Sequence, residues 1–344
     1  MGYTVRLFNP VDDKEGLLRL WNEAVQNPSA ARYEAMYAEN AFNRIVTWLL
    51  FYDTQANPVG CLSLLSHRFN ISGQEVLCGI NCDIVVTKRH RTLGPAVILL
   101  ESLMRECQSY GFKALLAMPN NMSRPIFIRA GYKQFGAVYR WSKILKTEEK
   151  LKVKIKNYFL RKVIAILANF FLKWALGGGI QWFYGYLGRK LKVINVPLNQ
   201  FRLDYNIEDG YGIECSSAYL QWRFGRVGSN ESQVFSLYRG DALFGFIVYF
   251  LQRQEAIVEY MFISPSENMN ILLSGFIDKM RQLRIEVISI AYFSAGRLQK
   301  NFRQMGFLQR DSREVFLYTV NKDLNDAFSG LIKDWSLFES DLDL

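Results

Sequence analysis

The chain has 344 residues, of which 50% are hydrophobic and 15% aromatic. This length accommodates two domains of ordinary size, each with a core of its own, and this composition excludes a disordered chain. Only two histidines are present, His67 and His90, which argues against a His-rich metal site and against a Ser/His/Asp triad.

The net charge of +10 is distributed unevenly along the chain. Residues 1–145 carry a net charge of +5, residues 146–200 carry +9 and residues 201–344 carry −4. A basic middle between two milder flanks favours a charged connector over a nucleic-acid-binding domain. The sequence therefore predicts three parts with these boundaries: a first domain, a basic and apolar helical linker, and a second domain.

The start of the chain and its cysteines bear on the cellular compartment. Residues 1–16 contain no apolar stretch of the kind found in secretory signals. The five cysteines form no Cys-x-x-Cys pair; they are Cys61, Cys78, Cys82, Cys107 and Cys215. We therefore expect reduced core thiols in a cytoplasmic protein that holds no metal.

The first 145 residues predict alternating strands and helices. Apolar runs predict strands at 4–8, 45–53, 59–71, 79–86, 114–119 and 135–145. Amphipathic runs predict helices at 12–26, 95–111 and 123–131. Pro95 suits the first turn of the second helix and Gly111 its C-terminal cap.

The segment 91–96, Arg-Thr-Leu-Gly-Pro-Ala, joins the strand at 79–86 to the apolar helix that follows. At such a junction, unpaired backbone N–H groups and the positive end of the helix converge on one point. This arrangement predicts a cradle for an anion such as a phosphate. Pro95 has no N–H group, so it removes one of the contacts that the cradle could make.

Residues 146–200 combine a Lys/Arg cluster with an aromatic, apolar stretch. Between Val163 and Gly188 the only charged residue is Lys173, and the three glycines at 177–179 divide this run. About 14 apolar-rich residues precede the glycines, whereas a membrane-spanning helix needs ~20. Three interpretations stay open: an interdomain helix packed on both domains, an interfacial helix on an anionic membrane, and a membrane span.

The second half repeats the element order of the first. The sequence predicts strands at 231–239, 242–252, 255–263, 287–293 and 314–320 and helices at 266–283 and 295–306. A short match between residues 127–132 and 302–307 supports a duplication. The segment 264–273, after the third strand, contains no glycine and no anion loop. We therefore expect the first half to bind the anion and the second half to shape the site of a second ligand.

Two motifs in the first half resemble those of the GNAT acyltransferase superfamily. Residues 86–96 resemble the pattern V-x-P-x-x-R-x-x-G-x-[G/A], except that Lys88 replaces the usual proline. Asn120, followed eleven positions later by Gly131 and Tyr132, resembles a second motif of the family. The resemblance implies an α/β (α+β) fold of two tandem GNAT-like units, with mixed, mainly antiparallel sheets flanked by helices.

The resemblance also implies the donor, acyl-coenzyme A, and the residues that bind it. These residues are Val85, Val86, Arg91, Thr92, Leu93, Gly94, Ala96, Asn120 and Phe127. Backbone amides at 91–96 would hold the pyrophosphate, and an amide near Val85 or Val86 would polarise the thioester carbonyl. Phe127 stands where many members carry the tyrosine that protonates the leaving thiolate, so that hydroxyl is absent here.

The candidate catalytic residues are Asp83 and Asn81. Asp83 is a carboxylate within an apolar strand, where an unpaired charge is costly, so it needs a functional or a structural partner. By the resemblance, Asp83 lies where several members carry an acidic group near the acceptor amine, which it would receive and orient. A nearby arginine is the structural alternative. At strand period two, we expect Asn81 on the same face as Asp83.

The two-part layout resembles bacterial acyltransferases that acylate the amine of a nucleotide-linked amino sugar for surface polysaccharides. Trp222 and Arg223 would then stack on the base and pair with the diphosphate, or else simply begin an amphipathic helix with a core tryptophan. A FemABX-like aminoacyl transferase and a non-catalytic GNAT-like module are the alternatives. A FemABX-like enzyme would not need the loop at 91–96.

Overall fold

A computed structural model of the protein describes residues 2–24, 33–34, 37, 45–53, 55–71, 74–146, 159, 164, 178–203, 207–208, 214–225, 231–293, 298–320 and 328. In the first half the elements are β1 (Tyr3–Leu7), α1 (Lys14–Ala24), β2 (Ile45–Tyr52), β3 (Gly60–Ile71), β4 (Gln74–Val86), α2 (Leu93–Glu106), β5 (Ala114–Ala117), α3 (Arg124–Arg129) and β6 (Lys133–Ile144). Short 3-10 helices at Lys88–His90 and Cys107–Tyr110 flank α2, and Gly111 ends the second of them.

The second half has a corresponding set of elements. They are α4 (Gly178–Leu187), β7 (Lys192–Pro197), β8 (Ile207–Glu208), β9 (Glu214–Cys215), α5 (Ser217–Phe224), β10 (Gln233–Arg239), β11 (Ala242–Gln252), β12 (Glu255–Ile263), α6 (Met269–Gln282), β13 (Val287–Phe293), α7 (Gln299–Gln304) and β14 (Leu308–Thr319). Two further 3-10 helices lie at Gly188–Lys190 and Leu198–Gln200. The predicted two-residue hairpin turn between β10 and β11 is confirmed.

The two halves share one sheet of twelve strands, in the order β1-β2-β3-β4-β5-β14-β6-β13-β12-β11-β10-β7. Strand β14, from the second half, lies between β5 and β6 of the first half, and β6 pairs with β13 of the second. The halves have therefore exchanged their last strands. The β4–β5 and β12–β13 pairs are parallel, and the other described pairs of this sheet are antiparallel.

The duplication is visible in the turn between each half's last helix and last strand. Gly131 has φ +94° and Gly306 has φ +76°, in the left-handed region that favours glycine. The amide of Tyr132 donates to the Phe127 carbonyl (3.0 Å), and the amide of Phe307 donates to the Phe302 carbonyl (2.9 Å). The same local sequence thus forms the same turn twice, and the predicted tandem fold of mainly antiparallel sheet and flanking helices is confirmed.

The two predicted domains do not have separate cores. The buried cluster under α1 includes Leu17 and Trp21 of the first half together with Phe293, Val315 and Leu317 of the second. A different cluster lies on the opposite face of the first half's sheet, under α2. The expectation of a self-contained core for each domain was therefore wrong, because the strand exchange inserts second-half side chains into the first-half core.

Most of the predicted linker lies outside the described residues, as does the chain after residue 320 except Phe328. The predicted boundaries at 145 and 200 stay a prediction. Helix α4 packs against α6 of the second half. Within the described part of the chain, no helix is long and apolar enough to span a membrane.

Candidate functional site

Strand β4 continues past the end of β5, and the Asn81 side chain bonds to that end. The paired residues are Cys78 with Ala114, Gly79 with Leu115 and Ile80 with Leu116, and β4 then continues without β5. At the point of separation, Asn81 Nδ2 donates to the Leu116 carbonyl (2.9 Å) and to the Tyr132 hydroxyl (3.0 Å). The rest of β4 therefore borders a gap on its β5 side.

A bulge in β4 lies immediately beyond this point. Ser63 of β3 is opposite Cys82, but Cys61 is opposite Val85, so β4 contains an extra residue here. Asp83 lies within the bulge with φ +52°, a left-handed conformation that aspartate tolerates better than most residues. The bulge begins directly after Cys82, so the expectation that Asn81 and Asp83 share a face stays a prediction.

Asp83 lies near a buried hydroxyl network on the α1 face of the sheet. Tyr37 bonds through its hydroxyl to Thr47 Oγ1 (2.7 Å) and to Ser63 Oγ (3.4 Å), and these two hydroxyls lie 2.8 Å apart. Burial raises the pKa of Tyr37, and the charge of Asp83 raises it further. The Asp83 carboxylate therefore acts electrostatically on this network.

The amide of Val86 is directed into the gap. The next amide, that of Thr87, donates to the Val59 carbonyl on the β3 side (2.9 Å). Successive amides of a strand point to opposite sides, so the Val86 N–H points away from β3, where β5 is no longer present. Val85 and Val86 were both predicted to contact the thioester. The N–H of Val86 is directed into the gap, whereas the N–H of Val85 points toward β3.

The Arg91 side chain folds back onto the end of β4. Its Nε and Nη2 both donate to the Val86 carbonyl, at 3.3 Å each. The amides of Arg91 and Thr92 are used within the loop, since they donate to the carbonyls of Lys88 (3.3 Å) and His90 (2.8 Å). Thr92 itself is exposed and extended, and it is the N-cap of α2.

The first turn of α2 leaves two amides open to a ligand. As the first two residues of the helix, Leu93 and Gly94 have no carbonyl within the helix to which their amides can donate, and Pro95 has no N–H. Gly94 is exposed, and a Cβ added there would meet no atom within 4 Å. Ala96 is buried in the core beneath. The cradle thus offers two amides, fewer than the segment 91–96 predicted, and the space at Gly94 is open.

The second motif stabilises the turn that begins α3. Asn120 Oδ1 accepts from the amides of Met122 and Ser123, at 3.0 Å each. Phe127 is only 2% exposed and packs edge-on against Tyr132, with ring centroids 5.1 Å apart. Both residues hold α3 beside the gap, and the structure shows no exposed ring face at Phe127.

Tyr132 is a residue of the site that the sequence interpretation missed. Its hydroxyl accepts the hydrogen bond from Asn81 at the apex of the gap, and burial raises its pKa, so it is protonated at neutral pH. The second motif contained the signal, because its final aromatic position is a tyrosine. Nothing in the sequence alone placed that hydroxyl at Asn81.

Trp222 and Arg223 of α5 lie where the second half meets the first. Trp222 is half-buried and packs against both the second-half core and the cluster under α1. Burial, together with the charge of Arg223, lowers the pKa of His67 on β3 to about 3. These two residues therefore approach the face of the first-half sheet on which Tyr37 lies.

The second half contains a related bulge without the cradle. Val248 is opposite Tyr260 and Tyr249 is opposite Val258, so Glu259 occupies the extra position, as Asp83 does in β4. At the start of α6, however, Asn268 Oδ1 accepts from the Asn270 amide (2.9 Å) and occupies the helix N-terminus. Glu267 adds a negative charge beside it, which disfavours a phosphate.

Two observations concern metals and thiols. Among the described side chains, no group of three or more His, Cys, Asp or Glu residues lies close enough to hold a metal ion. Cys61, Cys78, Cys82 and Cys107 are buried and form no disulfide among the described residues, and burial raises the pKa of Cys78 and raises that of Cys107 to about 11. The thiols of Cys78 and Cys107 are therefore protonated at neutral pH.

Residues 5–136 match the family model of the acetyltransferase (GNAT) domain. The match covers the gap, the bulge and the cradle, so the GNAT domain predicted for the first half is confirmed. No curated protein matches the chain at a significant level.

Solved structures with the same fold extend over nearly the whole chain. A GCN5-related N-acetyltransferase from Anabaena variabilis aligns with a TM-score of 0.63 at 12% identity, over 93% of this chain and 73% of its own. A probable N-acyltransferase from Enterococcus faecalis aligns with a TM-score of 0.64 at 12% identity, over 93% of this chain and 73% of its own. A tandem GNAT protein from the clavulanic acid biosynthesis pathway aligns with a TM-score of 0.54 at 9% identity, over 93% of this chain and 99% of its own. Together with the domain match, these folds support acyl-CoA-dependent acyl transfer to an amine.

Proposed function

We propose that this acyl-CoA-dependent acyltransferase acylates the amine of a nucleotide-linked amino sugar in bacterial surface-polysaccharide biosynthesis. The proposed acceptor is of the dTDP-4-amino-4,6-dideoxyhexose type. One observation carries the donor side of the proposal: the part of β4 that continues past β5 ends at the loop that leads into the first turn of α2, where the amides of Leu93 and Gly94 have no acceptor within the helix. A long thioester with a pyrophosphate at its far end fits a gap and a cradle joined in this way.

The donor would bind with its pyrophosphate on the first turn of α2 and its acyl arm in the gap. The amides of Leu93 and Gly94 donate to phosphate oxygens, and the helix N-terminus favours the negative charge. Arg91 positions the loop by holding the Val86 carbonyl. The Val86 N–H, directed into the gap, would donate to the thioester oxygen as negative charge develops on it.

The reaction joins the acceptor amine to the acyl carbon. The neutral amine attacks the thioester carbonyl, the C–N bond forms, the C–S bond breaks and coenzyme A leaves as its thiolate, which takes up the proton that the new amide nitrogen releases. Asp83 would receive the ammonium, orient it and accept its proton directly or through water. Tyr132, protonated at the apex of the gap, is the described hydroxyl best placed to donate to the leaving sulfur.

The acceptor would bind between the halves, on the α1 face of the first-half sheet. Asp83 acts on this face through Tyr37, and Trp222 and Arg223 approach it from α5. An indole supplies a stacking surface for a base and a guanidinium pairs with phosphate. The layout also resembles the N-acyltransferase of anthrose biosynthesis, which is why we propose a nucleotide-linked 4-amino sugar first.

Two measurements test the donor and the acceptor separately. Calorimetry with coenzyme A and acetyl-CoA tests the cradle, and absence of binding at millimolar donor would reject the acyltransferase proposal. Mass spectrometry of products from dTDP- and UDP-linked amino sugars, with acetyl- and 3-hydroxyacyl-CoA, tests the acceptor. Donor binding with acylation of other amines only would reject the nucleotide sugar and leave the donor site in place.

A further inference from the structure

Helix α4 carries a cluster of exposed apolar side chains. The exposed fractions of these side chains lie between 44% and 69%. They are Ile180, Trp182, Phe183, Tyr186 and Leu187 of α4, joined by Val193 of β7, and together we call them the aromatic patch. Six of the thirteen large hydrophobic residues that are exposed in the described part of the chain therefore fall within fourteen positions. Single exposed apolar residues need no explanation, but a contiguous group indicates an interaction surface.

The opposite side of α4 is already occupied by its contact with α6. Gln181 donates to Asp278 Oδ1 (3.0 Å), and its carbonyl accepts from Ser274 Oγ (2.9 Å). A Cβ added at Gly185 would lie 3.2 Å from Ser274 Oγ, so the two helices approach closely there. With that side fixed on α6, the aromatic patch faces outward.

The surroundings of the patch are basic. Arg189 lies over the Tyr186 ring with its guanidinium carbon 5.2 Å from the centroid, and Lys190 and Lys192 follow, both exposed. Residues 178–203 contain no aspartate or glutamate. Upstream, residues 146–177 carry eight lysines and arginines against two glutamates. The expected partner is therefore apolar and negatively charged.

We propose that the aromatic patch docks the enzyme on an anionic lipid surface, with α4 lying in the membrane interface. Tryptophan and tyrosine suit this location, because their rings are apolar and their N–H and O–H groups reach headgroups and water. Arg189, Lys190 and Lys192 then lie at the depth of the lipid phosphates. At ten residues, α4 lies along the surface and does not cross the bilayer.

Vesicle co-sedimentation of the full-length protein tests this proposal. We expect binding to phosphatidylglycerol/phosphatidylcholine vesicles and little to phosphatidylcholine alone. A combined Trp182→Ser, Phe183→Ser and Tyr186→Ser variant should bind at least tenfold more weakly. A matched variant with three exposed apolar residues changed elsewhere, Val11→Ser, Met122→Ser and Leu308→Ser, should bind as the wild type does.

Charge neutralisation tests the electrostatic half of the proposal. Changing Arg189→Gln, Lys190→Gln and Lys192→Gln should weaken binding about fivefold for each charge removed, and salt should weaken wild-type binding similarly. Wild-type binding that is equal on neutral and anionic vesicles would overturn the proposal.

Other occupants of the patch give different results. If the wild type binds no vesicles and is a dimer that the triple-serine variant converts to a monomer, the patch joins two copies of the chain. If the triple-serine variant instead unfolds at a markedly lower temperature without vesicle binding, another segment of this chain covers the patch. Either result overturns membrane docking.

Discussion

Asn81 donates from its side chain to the backbone carbonyl of Leu116 at the residue where the ladder between β4 and β5 stops. A backbone amide of β4 would satisfy this carbonyl if the two strands stayed together. Because the side-chain amide takes its place, the strands can separate without leaving the end of β5 unpaired. The donor gap therefore depends on one amide side chain, and Tyr132 fixes the position of that side chain.

We predict that Asn81→Ala lowers the free energy of unfolding by about 1–3 kcal/mol, because the Leu116 carbonyl loses its donor. Tyr132→Phe keeps the Asn81–Leu116 bond and should cost about 1 kcal/mol. Urea unfolding of both single variants and the double variant measures the costs and their coupling. Equal stability of Asn81→Ala and the wild type would show that the gap is held open in another way.

Gly94 allows the cradle to be tested apart from the fold. A Cβ there meets no atom within 4 Å, and an acidic side chain near a helix N-terminus is favourable, so Gly94→Glu should keep or slightly raise stability. The same carboxylate repels a pyrophosphate, so the Kd for coenzyme A should rise at least tenfold in calorimetry.

Gly179 provides the matched control, because it is likewise the second residue of its helix and likewise has open space around it. Gly179→Glu should leave the Kd for coenzyme A unchanged. If Gly94→Glu binds coenzyme A as tightly as Gly179→Glu does, the pyrophosphate does not lie on α2.

Local features of the site could be predicted from the sequence. The glycine and proline at 94–95 and the preceding β-branched strand specify the loop and helix through interactions among near neighbours, and the structure places them as expected. The turns at Gly131 and Gly306 were also predictable, because each is fixed by six consecutive residues.

Features that depend on distant parts of the chain were not predictable in this way. Strand β14 lies between β5 and β6 because of pairing partners about 170 to 200 positions away, and no local pattern encodes that choice. The bulge at Asp83 was missed for a related reason, since period-two reasoning assumes an uninterrupted strand. Both features alter the surroundings of the site: one adds a second-half strand beside β5, and the other gives Asp83 its left-handed backbone.

Asp83 offers a test of the proposed chemistry. Asp83→Asn keeps a residue that tolerates the left-handed conformation, but it removes the negative charge and the proton acceptor. We expect kcat/KM to fall about 10²- to 10⁴-fold with the Kd for acyl-CoA unchanged. Asp53→Asn is the control, because Asp53 also has a left-handed backbone (φ +49°) and lies at the end of β2. A similar loss in both variants would assign the effect to backbone strain.

Buried His67 should make the protein acid-sensitive. Burial, aided by the charge of Arg223, holds its pKa at about 3 in the folded protein, against 6.5 in an unfolded chain. Between these values the unfolded chain binds a proton that the folded protein does not, so stability falls as the pH falls below 6.5. The slope contributed by His67 approaches about 1.4 kcal/mol per pH unit.

Urea unfolding between pH 7 and pH 5 measures this slope, which His67→Gln should remove. Arg223→Gln should keep this slope but make it level off at a higher pH than in the wild type when the measurement continues to about pH 3, because the pKa of folded His67 rises when the neighbouring positive charge is lost. An unchanged slope in His67→Gln would assign the acid sensitivity to other groups. Levelling off at the wild-type pH in Arg223→Gln would show that the charge of Arg223 does not act on His67.

The strand exchange predicts that neither half folds alone. A fragment of residues 1–146 lacks β14 and with it the buried side chains of Val315, Phe316 and Leu317. The complementary fragment, 147–344, lacks β6, whose Lys143 donates to the Met305 carbonyl at the end of α7 (2.7 Å). Each fragment leaves three strand edges unpaired, one of β5 and both of β6 in the first and one of β13 and both of β14 in the second, a feature that favours aggregation.

Co-expression of the two fragments should restore a soluble complex with cooperative unfolding, since each supplies the strand that the other lacks. Either fragment alone should give no cooperative transition by circular dichroism. The same complex should bind coenzyme A, because β4, α2 and β14 then border the gap together. A fragment 1–146 that unfolds cooperatively and binds coenzyme A by itself would show that the first half completes its sheet without the exchanged strand.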